Sequence, residues 1–156
     1  MLWRFSFLAM KKTLIYGYGN PGRQDDALGV MLAEMIEEWL KNEGIAGAET
    51  DSNYQLNIED AERISHFERV IFADASKEEH IENFEVTRVE PSARVEFTMH
   101  AVSPAFIMHL CQSIYGRTPE AWLVHIRGYE WELSEGLTQR ASINLEASLQ
   151  AVQSMI

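Results

Sequence analysis

Two carboxylates and one imidazole stand out by where they fall against the hydrophobic pattern. Asp26 comes after the apolar run Thr13 to Tyr18 and the loop Gly19-Asn20-Pro21-Gly22. Asp74 closes the run Val70-Ile71-Phe72-Ala73, and His100 stands just before Ser103-Pro104. In an open parallel sheet, ligands bind in the crevice beyond the carboxyl ends of the strands, so polar residues that follow apolar runs are the first candidates for chemistry. Carboxylate oxygens with an imidazole nitrogen suit a first-row divalent metal and leave positions for water or a substrate group. Each residue also has a plainer explanation. Asp25 or Asp26 is what a helix N-terminus favours, because a carboxylate accepts backbone N–H bonds and complements the helix dipole. Asp74 serves equally as a cap for the next turn, and a lone His100 as an ordinary loop histidine. The three gain weight as a set.

Other sequence features point away from chemistry. Gly17-Tyr18-Gly19-Asn20-Pro21-Gly22 lacks the glycine spacing and lysine of a phosphate loop and does not meet the dinucleotide fingerprint, so it reads as a tight turn. There is no Gly-x-Ser-x-Gly elbow. Cys111 falls among the core positions of a helical pattern, where an inert buried thiol is expected. His109 and His125 read as packed or surface residues, and the acids between Glu59 and Glu90 as solvated faces.

The elements that must position these residues follow from periodicity. Thr13 to Tyr18 reads as a first strand, and a helix is expected from Asp25-Asp26 to Asn42-Gly44 with Leu28, Leu32, Met35, Ile36 and Trp39 on its inner face. A second strand is expected over Ile45 to Thr50 and a helix over Ile58 to Phe67. The unbroken run Val70 to Ala73 suits a central parallel strand covered on both faces. Phe84 to Val89 alternates as an edge strand does. Ser103-Pro104 opens a helix to Ile114, with Val102, Phe106, Leu110 and Ile114 as its inner stripe. Leu123 to Ile126 is the last strand. A final helix from about Thr138 buries Ala141, Leu145, Leu149 and Val152. Strand and helix alternate throughout, which predicts a three-layer α/β/α domain on a mostly parallel twisted sheet of about five strands.

Bulk properties narrow the function. With 156 residues, 46% hydrophobic and 24% charged, the chain matches one globular domain. A formal net charge of -11 opposes nucleic-acid binding, which depends on cations neutralising phosphates. One cysteine excludes an internal disulfide and a thiolate-built zinc site and fits the cytoplasm. No stretch is long and apolar enough to span a membrane. Residues 1–12 read as an extension, or as the product of a start placed too early, since Met10-Lys11-Lys12-Thr13 leads directly into the first strand. Residues 13–156 form the domain.

The order of motifs resembles the nickel-iron hydrogenase maturation proteases. It runs Gly17-Tyr18-Gly19-Asn20-Pro21, Asp25-Asp26-Ala27-Leu28-Gly29-Val30, Val70 to Asp74-Ala75, then His100 with Ser103-Pro104. Ile114-Tyr115-Gly116 before Pro119 and Gly136-Leu137-Thr138 before the last helix add support, so the resemblance spans Thr13 to the C-terminus. It implies an endopeptidase that recognises nickel already installed in a hydrogenase large-subunit precursor and removes that subunit's C-terminal extension. The nickel would arrive with the substrate, and no organic cofactor is expected. Position by position, Asp26, Asp74 and His100 match the family's metal-contacting residues. Asn20 and Asp25 fall on the substrate-binding side. Asp51, in Asp51-Ser52-Asn53-Tyr54-Gln55-Leu56, stands where many members carry a glycine-rich segment with an aspartate, and is assigned a catalytic or substrate-positioning role. Gln55-Leu56, together with His100 and Ser103-Pro104, is similar to a branch serving soluble, cofactor-reducing hydrogenases.

Two other readings compete. Gly19-Asn20-Pro21-Gly22 also resembles the opening motif of peptidyl-tRNA hydrolases, but the His-Asn pair expected next is replaced around Asp25-Asp26 and the acidic surface disfavours tRNA. The other is a non-catalytic hydrogenase-assembly module that keeps the fold and binds the subunit without cutting it.

Overall fold

The first apolar run forms a strand enclosed by protein from Thr13 to Gly17, its hydrogen bonds shared with strands on both sides. In this computed structural model, which describes residues 11–94 and 102–156, β1 (Thr13–Tyr18) leads through a 3-10 turn at Gln24–Ala27 into α1 (Leu28–Glu43). Gly44 ends α1 in the left-handed conformation, φ 62°, which a glycine adopts without steric cost. There follow β2 (Ala48–Asn53), α2 (Asp60–Ile64), β3 (Arg69–Ser76), β4 (Phe84–Arg88), α3 (Pro104–Tyr115), β5 (Glu120–Arg127) and α4 (Gln139–Met155). The sheet order is β2-β1-β3-β5-β4. The first four of these are mutually parallel and β4 runs antiparallel along the edge.

Two apolar layers hold the sheet, and neighbouring residues of one strand serve opposite layers because side chains alternate across a pleat. Ile15, Ile71, Ala73, Val124 and Ile126 pack with α1 and α4. Leu14, Tyr16, Val70 and Phe72 pack with α2 and α3. This double coverage explains why β3 reads as a continuous apolar run. The architecture is the expected single three-layer α/β domain with a mostly parallel five-stranded sheet.

Several boundaries differ from expectation. β2 begins three residues later than its apolar start suggests, because Ala48 pairs with Thr13 and Asn53 with Tyr18. It is a polar edge strand whose place is set by backbone pairing. α2 is a single short turn of helix, Asp60–Ile64. On α3 the buried residues are Ile107, Met108 and Cys111, while Ile114 is 63% exposed, so the true inner face is rotated from the expected stripe. Ser103 caps α3 as expected, its Oγ accepting the Phe106 N–H at 3.2 Å.

Candidate functional site

Asp74 lies inside β3, two residues before the strand ends, and not beyond it. The register Gly17↔Ala73 sets Tyr18 alongside Asp74, and the register Asp74↔His125 sets His125 on its other side. Because residues aligned across adjacent strands project to the same face, Tyr18, Asp74 and His125 form a polar row at the carboxyl end of the sheet, above the apolar α2/α3 layer. Glu85 of β4, paired with His125, extends it.

The loop after β1 carries Asp26 to this row. Its carboxylate Oδ2 accepts the backbone N–H of Asn20 at 2.8 Å, and the Asn20 side-chain Oδ1 accepts the Gly22 N–H at 2.9 Å. Gly19, at φ +141°, runs so close to the Asp26 backbone carbonyl that a Cβ would overlap it. Asp26 therefore closes the glycine loop and does not cap α1, whose N-cap is Ala27 with no side-chain bond. A close approach of backbones brings α1 down onto the strand ends: a Cβ on Gly17 would strike the Gly29 carbonyl, and one on Gly29 the carbonyls of Ala73 and Tyr18.

Burial and the nearby negative charge of Asp26 push the Asp74 carboxyl up to about 7, against partial relief from the Ala75 N–H and the Tyr18 hydroxyl. Burial and the Asp74 charge push the Tyr18 phenol well above its ordinary range, so it stays a hydrogen-bond donor. Burial lowers the His125 imidazole, with the acids Glu85 and Glu78 acting in the opposite direction. At neutral pH the two carboxylates cannot both ionise without cost unless a cation neutralises them, and oxygen donors of this type suit a divalent metal. Among the described residues, no group of three His, Cys, Asp or Glu side chains is arranged to hold a metal ion. The third expected ligand, His100, lies outside the described residues.

The remaining candidates separate. Asp25 is fully buried. Its carboxylate accepts the N–H groups of Tyr129 at 2.7 Å, Glu130 at 3.1 Å and Thr138 at 2.8 Å, and the Thr138 hydroxyl at 2.8 Å. These bonds make Asp25 a clasp that ties the loop after β1 to the segment between β5 and α4 and hold the N-cap residue of α4 in place. No face is left for a substrate. Gln24, with φ 45°, is held in that unfavourable conformation by the same segment: its N–H donates to the Ser134 carbonyl at 2.8 Å and its side-chain oxygen accepts the Glu132 N–H at 2.9 Å. Asp51 stands on edge strand β2, separated from β3 by β1, and pairs with Arg63 at 3.2 Å. The structure thus brings Asp26 and Asp74 together and places Asp51 apart. Tyr18 and His125 escaped the sequence reading. Tyr18 sat inside a run read as core, and the pairing that puts His125 beside Asp74 is a long-range property of the sheet.

No protein-family model matches the chain. No curated protein matches it either. Solved structures do. The hydrogenase maturating endopeptidase HybD from E. coli superposes with a TM-score of 0.75 at 22% identity, over 92% of this chain and 90% of that one. The [NiFe] hydrogenase maturation protease HycI from Thermococcus kodakarensis KOD1 gives 0.72 at 17% identity, over 96% of both chains. An endopeptidase from Escherichia coli solved in solution gives 0.71 at 21% identity, over 92% and 91%. The chain therefore has the fold of the hydrogenase maturation proteases along nearly its whole length.

Proposed function

We propose that this protein is an endopeptidase that removes the C-terminal extension of a nickel-iron hydrogenase large-subunit precursor once nickel has been inserted. The observation that carries the reading is the approach of Asp26 and Asp74 at the carboxyl ends of β1 and β3, with Asp74 driven up to about 7 by burial and by Asp26. Two carboxylates held this way, by a glycine loop and a central strand, favour a cation between them. In this reading the cation is the nickel of the substrate, and His100 supplies the imidazole nitrogen. The donor chemistry fits: oxygen and imidazole ligands accept a first-row divalent ion. Tyr18 holds Asp74 from one side and the Asn20 N–H holds Asp26 from the other. The site's work is to grip the metal-loaded end of the precursor and so position the segment to be cut. Asn20 borders that grip on the substrate side, and Asp51 is an outlying contact for the precursor. The structurally similar proteins are maturation endopeptidases of hydrogenases, which supports the same assignment.

The protein would act on a folded precursor in the cytoplasm, without an organic cofactor. No helix among the described residues is long and apolar enough to cross a membrane, and the net charge of -11 disfavours nucleic acid. The test is mass spectrometry of a hydrogenase large-subunit precursor incubated with the protein. Loss of a C-terminal peptide is expected with nickel-loaded precursor and wild-type protein, and not with nickel-free precursor or the Asp74→Ala variant. A precursor that stays intact but is retained by the protein would instead make it a non-catalytic assembly module.

A further inference from the structure

A concavity opens at the carboxyl end of the sheet, against α4. It has a volume of about 550 Å³ and lies between the segment after β3 and the start of α4, with Tyr129 on its wall. Tyr129 is fixed at both ends. Its N–H is held by Asp25, and its hydroxyl accepts the Asn144 side-chain N–H at 2.9 Å and donates to the Glu82 carbonyl at 3.3 Å. Two guanidinium groups lie over its ring, Arg127 at 5.1 Å and Arg140 at 4.0 Å from the centroid. Arg127 is committed elsewhere, its Nη1 donating to the Glu78 carbonyl at 2.8 Å.

Arg140 differs. It has no carboxylate partner among the described residues. Stacking on an aromatic ring occupies the face of a guanidinium and restricts its rotation, while its N–H edge stays open to bind a carboxylate through two parallel bonds. A cation in the first turn of α4 also runs against the helix dipole unless an anion accompanies it. Beside it, Ile143 lines the same concavity and is 62% exposed, an apolar contact left uncovered by the described residues. Glu79 and Glu82 border the concavity too, and their negative charge opposes any anion there, so a carboxylate would depend on the guanidinium of Arg140 for its place.

From these observations we infer that the concavity is a seat for a peptide carboxylate, with Arg140, held on the Tyr129 ring, gripping the carboxylate and Ile143 receiving the side chain next to it. The seat lies on the α4 side of the sheet and the Tyr18/Asp74 row on the α2/α3 side, and the clasp links the two around the strand ends, since Tyr129 bonds to Asp25 and Asp25 is the chain neighbour of Asp26. On the reading proposed above, the carboxylate belongs to the extension that is removed, so the precursor is held at two points, by its metal and by its tail. Two points of attachment fix the direction of the intervening chain, and each raises the effective concentration of the other.

The test uses fluorescence anisotropy with the full-length protein and three fluorescein-labelled alanine-leucine hexapeptides: one with a free carboxyl end, one amidated, and one amidated with an internal glutamate. The free-carboxyl peptide should bind about tenfold tighter than the amide, the size expected for one charge-assisted pair. That difference should vanish in Arg140→Ala and shrink in Arg140→Lys, with circular dichroism showing both variants folded. Tight binding of the glutamate peptide would assign the seat to acidic side chains, and weak binding to the chain terminus. Equal binding of acid and amide, an unchanged preference in Arg140→Ala, or no binding at millimolar protein would overturn the seat. The cleavage assay stands apart: a precursor left intact while the carboxylate preference persists refutes the protease reading, and a precursor cut without that preference refutes the seat alone.

Discussion

With its carboxyl raised to about 7, Asp74 is one group whose ionisation makes the protein's stability depend on pH. Between about pH 4 and 7 the folded protein keeps a proton that the unfolded chain has released, so metal-free stability falls as pH rises through that window. Above it the full penalty, a few kcal/mol, is present. Asp74→Asn has no such ionisation. With a chelator present, its thermal midpoint should exceed that of the wild type by an amount that grows from pH 5 to pH 8, while precursor cleavage is lost. A gap that stays constant across that range, followed by calorimetry, would show that burial and Asp26 do not act on this carboxyl. The residue's candidacy was legible in the sequence because an acid ending an apolar run is conspicuous. Tyr18 was not, since a tyrosine within such a run looks like core, and only the pairing of β1 with β3 shows what its hydroxyl faces.

Elements meet here through two devices that local sequence does not announce. The first is the Asp25 clasp. Removing its carboxylate leaves the N–H groups of Tyr129 and Thr138 without their partner, so Asp25→Ala should lower stability by about 3 kcal/mol or more in urea unfolding, and Asp25→Asn should also destabilise, because its one amide oxygen can accept on one side only while its NH2 faces a donor on the other. A loss below about 1 kcal/mol would mean that water replaces the clasp. The second is the approach of α1 to the strand ends at Gly29. There a Cβ would meet backbone at 2.7 Å from the Tyr18 carbonyl and closer still to that of Ala73. Gly29→Ala should cost about 1–3 kcal/mol and reduce cleavage in parallel, because the helix cannot withdraw without shifting Asp26. The sequence shows a helix beginning near Asp25 and offers the aspartate as a helix cap or, by the family resemblance, as a residue of the substrate-binding side. Capping preference is a local rule, and the partners of Asp25 lie more than a hundred positions away.

At the scale of the molecule, the two apolar layers meet at β3, where Ile71 serves one layer and Phe72 the other. Phe72→Ala should therefore cost about 3–5 kcal/mol, and unfolding followed by Trp fluorescence and by circular dichroism should remain one coincident transition, since both layers share the strand. Two separated transitions would show that the layers are independent. The layer architecture was legible because helical and alternating periods are written into neighbouring residues. The start of β2 was not, because a polar edge strand is placed by its partner's backbone and not by its own side chains. The clasp has a further consequence for synthesis. A ribosome releases Asp25 113 residues ahead of Thr138, so a nascent chain carries the loop of Asp26 untethered until the C-terminal quarter emerges. The Asp26 loop is then fastened to the C-terminal segment last, and a chain that stopped before Tyr129 would lack the clasp altogether.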